Sequence, residues 1–179
     1  MLKLLRTASL IILSGCVSTE SHLIAPEKYY FDCDVPPGNS SEWNRTITGS
    51  EVRVSGNLQL VEPRRDPTWA PVANVSISGV DHSPRVGLGA GIDWHIPDVV
   101  TVAPVTLSGP EMSQVLLSKA WDGLSIPFAV SVKRSGEFSV SAAAQSRALH
   151  IQGFDMRKVR LSCSTGHFRF TDVVVEIVK

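Results

Sequence analysis

The chain has 179 residues, 17 Lys+Arg against 17 Asp+Glu, and no formal charge at neutral pH. Hydrophobic residues make up 43% and charged residues 19%, which excludes a disordered chain, since disorder needs low hydrophobicity and high net charge. No basic field is available for nucleic acid, and no apolar run approaches the roughly 20 residues of a membrane span.

In chain order, Met1-Leu2-Lys3-Leu4-Leu5-Arg6 is a short basic stretch, and Thr7 to Leu13 is apolar but too short to cross a bilayer. Leu13-Ser14-Gly15-Cys16 follows. An aliphatic residue, two small residues and a Cys in this setting resemble the lipobox of bacterial lipoproteins. Small side chains admit a peptidase at the scissile bond, and the Cys thiol forms a thioether to diacylglycerol. The resemblance implies that residues 1–15 are a signal peptide and that Cys16 becomes the acylated N-terminus. It implies a bacterial envelope protein, held by several acyl chains rather than by a reversible single one. In such lipoproteins Asp after the Cys favours the inner membrane. Val17 stands there, so the outer membrane facing the periplasm is expected, with the inner membrane or cell surface as alternatives. Lys3 and Arg6 leave with the signal, so 15 basic side chains face 17 acidic ones, about −2 in all. Attachment is therefore lipidic and needs no polybasic patch.

Residues 16–28 are expected to form a lipidated tether, because Val17 to Lys28 lacks periodicity. Residues 29–179 are expected to be one domain. Tyr29 to Cys33 suggests a first strand, and Pro36-Pro37-Gly38-Asn39-Ser40-Ser41 a loop. Val52, Val54, Gly56, Leu58 and Leu60 then alternate with polar neighbours. So do Ala73, Val75, Ile77 and Gly79, and Val86, Leu88, Ala90, Ile92 and Trp94. Alternation of period two is the signal of a half-buried strand. Glu62 to Pro67 is another loop. From Ser108-Gly109-Pro110-Glu111 onward a capping-box spacing admits a helix. Val115 to Lys119 equally suits a strand, and strand is the preferred reading.

Ile126, Phe128, Val130 and Val132 lead through Arg134-Ser135-Gly136 to Phe138, Val140 and Ala142, a hairpin whose turn uses Gly for positive φ. Near the end, Phe168 and Phe170 share one parity, and Val173, Val175 and Ile177 the other. A β-bulge at Thr171-Asp172 would restore one buried face. With Cys16 acylated, Cys33 and Cys163 remain. In an oxidising compartment they are expected to pair, bringing the first strand beside one of the last. Closing a loop of about 130 residues would contribute roughly 4–5 kcal/mol in the loop-entropy account.

The expected fold is all-β, a two-sheet antiparallel sandwich. Pro127 to Val140 resembles the central hairpin of concanavalin A-like jelly rolls, and Phe168 to Val175 resembles their closing strand. An immunoglobulin-like sandwich is the alternative. The jelly-roll resemblance admits hydrolases, lyases and binders, so fold alone does not choose. Laminarinase-type members carry Glu-x-Asp-x-x-Glu or Glu-x-Asp-x-Glu on one strand, and no such run occurs here. The Tyr-rich strand of alginate-lyase-type members is missing, and so is a Gly-x-Ser-x-Gly elbow. His22, His82, His95, His150 and His167 form no i,i+2 or i,i+4 ligand pair, and Asp32 and Asp34 read as an edge charge pair. Asp93-Trp94-His95 reads as a core Trp between surface charges. No cofactor, metal or catalytic residue is expected. Trp69 and Trp121 lie in loop-like segments, and Arg64 and Arg65 could add donors beside them, which gives a possible ligand surface. The expected role is a structural or protein-interaction module of the envelope. A glycan binder is the alternative, and a polysaccharide-active enzyme comes third.

Overall fold

Strands form wherever the chain alternates apolar and polar side chains, and the computed structural model follows this rule closely. It describes residues 27–79, 85–92, 99–106, 117–120, 123, 125–151 and 154–178. Those residues contain ten strands. They are β1 (Lys28–Thr46), β2 (Glu51–Pro63), β3 (Val72–Ser78), β4 (Arg85–Ile92) and β5 (Val99–Thr106). Then come β6 (Leu117–Ala120), β7 (Ser125–Lys133), β8 (Glu137–Ala142), β9 (Gln145–His150) and β10 (Lys158–Val178). None of the described residues is helical.

All pairings are antiparallel, and β10 organises them. Its first third, Lys158 to Ser164, pairs with β3, while Gly166 to Val178 pairs with β2. Its other edge carries β1 along both parts, from Thr46 opposite Lys158 to Lys28 opposite Val174. The two long strands therefore pass from one layer into the other. One layer continues β3-β4-β5-β6, and the other continues β2-β7-β8-β9. Strands that change layer need a bend or bulge at the corner. In β10 the corner is Thr165, at φ 52°, followed by Gly166. In β1 four residues, Pro36 to Asn39, stand against the one residue Thr165. The stretch expected to be a loop is thus a bulge within a strand. Prolines are tolerated there because β1 is an edge and needs donors on one side only. The Gly38 N–H donates to Thr165 Oγ1 at 3.3 Å across the corner.

The core lies between the layers and is apolar. Phe138, Phe168, Phe170, Leu88 and Leu161 are fully buried within it, with a large set of valines. The parity slip near the C-terminus is a bulge, as expected. The β2–β10 register shifts between Thr171 and Val174, and Asp172 has φ 51°. Gly136 at φ 93° makes the β7–β8 turn, where a Cβ would also meet the Ile151 carbonyl at 2.0 Å. Cys33 and Cys163 are bonded, with Cα atoms 6.2 Å apart. Cys33 sits opposite Phe168 and Cys163 opposite Ser41, so the bond joins the two layers at the corner. The helix-or-strand window beginning at Ser108 lies largely outside the described residues, but its end, Leu117 to Ala120, is strand β6.

Candidate functional site

The outward face of the second layer carries the site. On β2, Val52 and Val54 turn into the core, so Glu51, Arg53 and Ser55 turn out. Val130 and Val132 do the same for Ala129 and Ser131 on β7, and Phe138 and Val140 for Ser139 on β8. The register aligns these outward residues into rows. Arg53 lies beside Ser131, then Ser139, then Ala148; Ser55 lies beside Ala129, then Ser141, then Ser146. Small side chains in the middle strands leave the floor low, and Glu51 and Arg53 stand at its β2 margin. The result is a trough of about 400 Å³, within the range of small-ligand sites.

Its polar groups are largely uncommitted. Ser131 Oγ donates to Glu51 Oε1 at a long 3.5 Å. Among the described residues, the Arg53 and Arg147 side chains have no hydrogen bond or ion pair. Just beyond the trough, Lys133 Nζ pairs with Glu137 Oε2 at 2.5 Å, and this bond holds the Glu137 carboxyl below its usual range. None of the trough's lining residues is aromatic.

The surface expected from sequence is a different place. Trp69 is 45% exposed in the β2–β3 connection. Asp66 Oδ1 accepts the backbone N–H groups of Thr68 and Trp69 at 2.8 and 2.9 Å, which fixes that turn. Arg65 is exposed, whereas Arg64 is half-buried and fully engaged. Arg64 donates to Asp34 Oδ1 at 2.6 Å, to Glu62 Oε2 at 3.0 Å and to the Val35 carbonyl at 2.8 Å. It clamps β1 to the end of β2 beside the corner. Asp32 likewise has partners, His167 Nε2 at 2.6 Å and Arg169 Nε at 3.4 Å. Burial raises the Asp32 pKa, but the His167 hydrogen bond and the nearby positive charge outweigh it, so the net shift is downward. Asp32 and Asp34 are therefore ion-pair partners of Arg and His. Among the described residues no group of three His, Cys, Asp or Glu is placed to hold a metal. Cys16, Trp121 and the Asp93-Trp94-His95 cluster lie outside the described residues.

Sequence reasoning did not find the trough. Ser131, Ser139 and Ser141 were visible as outward positions of a hairpin, but Arg53, Ala148 and Ser146 join them only through the register of β2 and β9. β9 has no apolar alternation to announce it, because most of its residues are exposed.

No family profile matches the chain, and no curated protein matches it in sequence. Solved structures do. An alginate lyase from Pseudomonas aeruginosa superposes with a TM-score of 0.50 at 16% identity, over 72% of this chain. The chain spans 65% of that lyase's length. A CBM2 module of the evolved Dit of Lactobacillus casei BL23 phage J-1 gives 0.51 at 8% identity, covering 75% of this chain and 67% of the module. The Emp46p carbohydrate recognition domain gives 0.50 at 9% identity, covering 84% and 88%. The fold is a concanavalin A-like jelly roll. At these identities the likeness concerns fold alone. It decides between the two sandwiches expected from sequence, against the immunoglobulin-like one.

Proposed function

We propose that this protein is a lipid-anchored bacterial envelope module that binds a glycan chain in the trough across β2, β7, β8 and β9. The observation that carries the reading is the trough itself: a built concavity floored by serine hydroxyls, on the open face of a jelly roll. Hydroxyls both donate and accept, which suits the hydroxyl-rich surface of a sugar chain. The fold's likeness to a carbohydrate recognition domain and a carbohydrate-binding module supports the same direction. A protein-docking role would favour one contiguous apolar patch. Among the described residues the exposed large apolar side chains, Tyr30, Trp69 and Val178, lie instead on three different segments. Binding without cleavage is part of the proposal. Glu51 is the single carboxylate among the lining residues, whereas a retaining glycosidase needs two at about 5–5.5 Å.

Ser139→Tyr fills the floor of the trough without touching the core. The purified domain is expected to be retarded in affinity gels by at least one envelope or extracellular polysaccharide. Ser139→Tyr is expected to abolish that retardation at unchanged melting temperature, and Trp69→Ala to leave it. Retention by the Ser139→Tyr protein, or retardation by no polysaccharide, would overturn the reading. The anchor is proposed on Cys16, with the outer membrane as destination, and the Cys33–Cys163 bond suits such an oxidising compartment. Labelled palmitate is expected in the wild-type protein and absent from Cys16→Ser. Equal labelling of both would remove the anchor.

A further inference from the structure

We infer that the outward face of the first layer holds a tetrahedral oxyanion, phosphate or sulfate, free or as an ester, between Arg85 and Arg160 at the hydroxyl of Ser76. This face lies across the core from the trough, and the inference does not depend on the glycan reading. On β3, Ala73, Val75 and Ile77 fill the core, so Asn74, Ser76 and Ser78 turn outward. The register puts Arg160 of β10 beside Ser76 on one side and Gly87 of β4, which adds no side chain, on the other. Ser78, one pleat along, lies between Lys158 of β10 and Arg85 of β4. Three cations therefore surround two serines.

Two observations point to a ligand rather than to a solvated patch of charge. The first is Ser76 itself. Its position faces outward, yet the residue is 2% exposed and its Oγ is buried without a hydrogen-bond partner. A buried hydroxyl left unpaired is destabilising, and an anion seated against it accepts its O–H. The second is the state of the arginines. Arg160 Nε donates to Glu42 Oε2 at 3.1 Å and to Asn44 Oδ1 at 3.3 Å, and its terminal nitrogens have no partner among the described residues. Arg85 has no hydrogen bond or ion pair among the described residues. It is half-buried, and burial first, then the positive charge of Arg160, holds its guanidinium below the usual range, with Glu42 opposing. Charged groups withdrawn from water are normally paired. In the three outward rows that cross β1, β10, β3 and β4 here, Glu42 is the one carboxylate among the described residues, against Arg85, Lys158 and Arg160. The Arg85 and Arg160 backbones stand two strand spacings apart, about 10 Å, which their long side chains span from either side of β3. Donors thus come from three directions, a hydroxyl on the strand and a guanidinium from each flank. A tetrahedral group has an oxygen for each, whereas a carboxylate has two in one plane.

The test is calorimetric titration of the purified protein with phosphate, sulfate, methyl phosphate and acetate, each at the ionic strength of a chloride control, which holds screening constant. Phosphate and sulfate are expected to saturate one site with Kd about 1 mM or tighter. Methyl phosphate matching phosphate makes an ester the fitting source, and methyl phosphate failing while phosphate binds makes it the free ion. Arg85→Gln and Ser76→Ala are each expected to weaken phosphate binding about tenfold. Arg53→Gln, on the other layer, is expected to leave it unchanged. In chloride Ser76→Ala should melt no lower than wild type, because its hydroxyl has no partner to lose. Failure of phosphate and sulfate to saturate, or full retention by Arg85→Gln or Ser76→Ala, would overturn the site. A lower melting temperature of Ser76→Ala in chloride would do the same, since it would give the hydroxyl a structural partner. Acetate binding as tightly as phosphate would overturn the tetrahedral assignment.

Discussion

The corner and the trough contain the same kinds of residue in opposite states. At the corner β1 and β10 cross between layers, Cys33 is bonded to Cys163, and Arg64 has Asp34, Glu62 and the Val35 carbonyl as acceptors. In the trough, Arg53 has no partner among the described residues, and Ser131 has only a long contact to Glu51. An arginine that already has several acceptors holds the chain together. One whose donors are free on a concave face is available to a ligand. The difference comes from what surrounds each: the corner needs groups to tie a bent backbone, whereas the flat ladder of β2-β7-β8 is already complete.

The largest break in this comparison is removal of the disulfide. Cys33→Ala with Cys163→Ala frees a loop of 130 residues, and about 2–5 kcal/mol of stability should be lost. Urea unfolding measures it. A loss under about 1 kcal/mol would mean that the corner is held by its other bonds, contrary to the role assigned to the crosslink. Glycan binding by the folded variant should be unchanged, since the trough lies on other strands.

Next in size is the exchange of arginines. Arg64→Gln should lower the melting temperature modestly, because Asp34 and Glu62 are more than half exposed and water screens the pairs. It should leave ligand affinity alone. Arg53→Gln should change stability by less than about 0.5 kcal/mol, as expected for an exposed residue without partners, and should affect affinity. If Arg53→Gln proves as destabilising as Arg64→Gln, Arg53 is a structural residue and the contrast between the two regions fails.

How much of this the sequence carried follows from solvent. β2, β7 and β8 each see core on one face and water on the other, so Val52, Val54, Val130, Val132, Phe138 and Val140 mark them plainly. The bulge at Asp172 was legible because the buried parity had to be restored between Phe170 and Val173. β9 was not, since most of Gln145 to His150 is exposed and no parity is imposed. The Pro36-Pro37 pair suggested a loop because proline lacks a donor, but an edge strand beside a corner does not need it. The disulfide followed from two leftover cysteines and an expected compartment. The trough required the register of strands far apart in sequence, which alternation within each strand cannot supply.

The smallest expected effect is the pH dependence of the Asp32 network, which lies on the β1–β10 pair between the two regions. Asp32 has a lowered pKa, with burial opposing the shift and the His167 hydrogen bond and the Arg169 charge producing it. A lowered carboxyl pKa stabilises the fold above the unfolded value, near 4, and that contribution is lost as pH falls through the lower folded value. The thermal midpoint of the wild-type protein should therefore drop as pH is lowered below about 4. Asp32→Asn should have a lower midpoint near neutrality and a flatter acid limb, because Asn cannot be protonated in that range. The effect should be small, since Asp32 is 39% exposed and water screens the pair. Parallel acid limbs for the two proteins would show that the β1–β10 edge gains nothing from this network, and that the tying bonds of the molecule are confined to the corner.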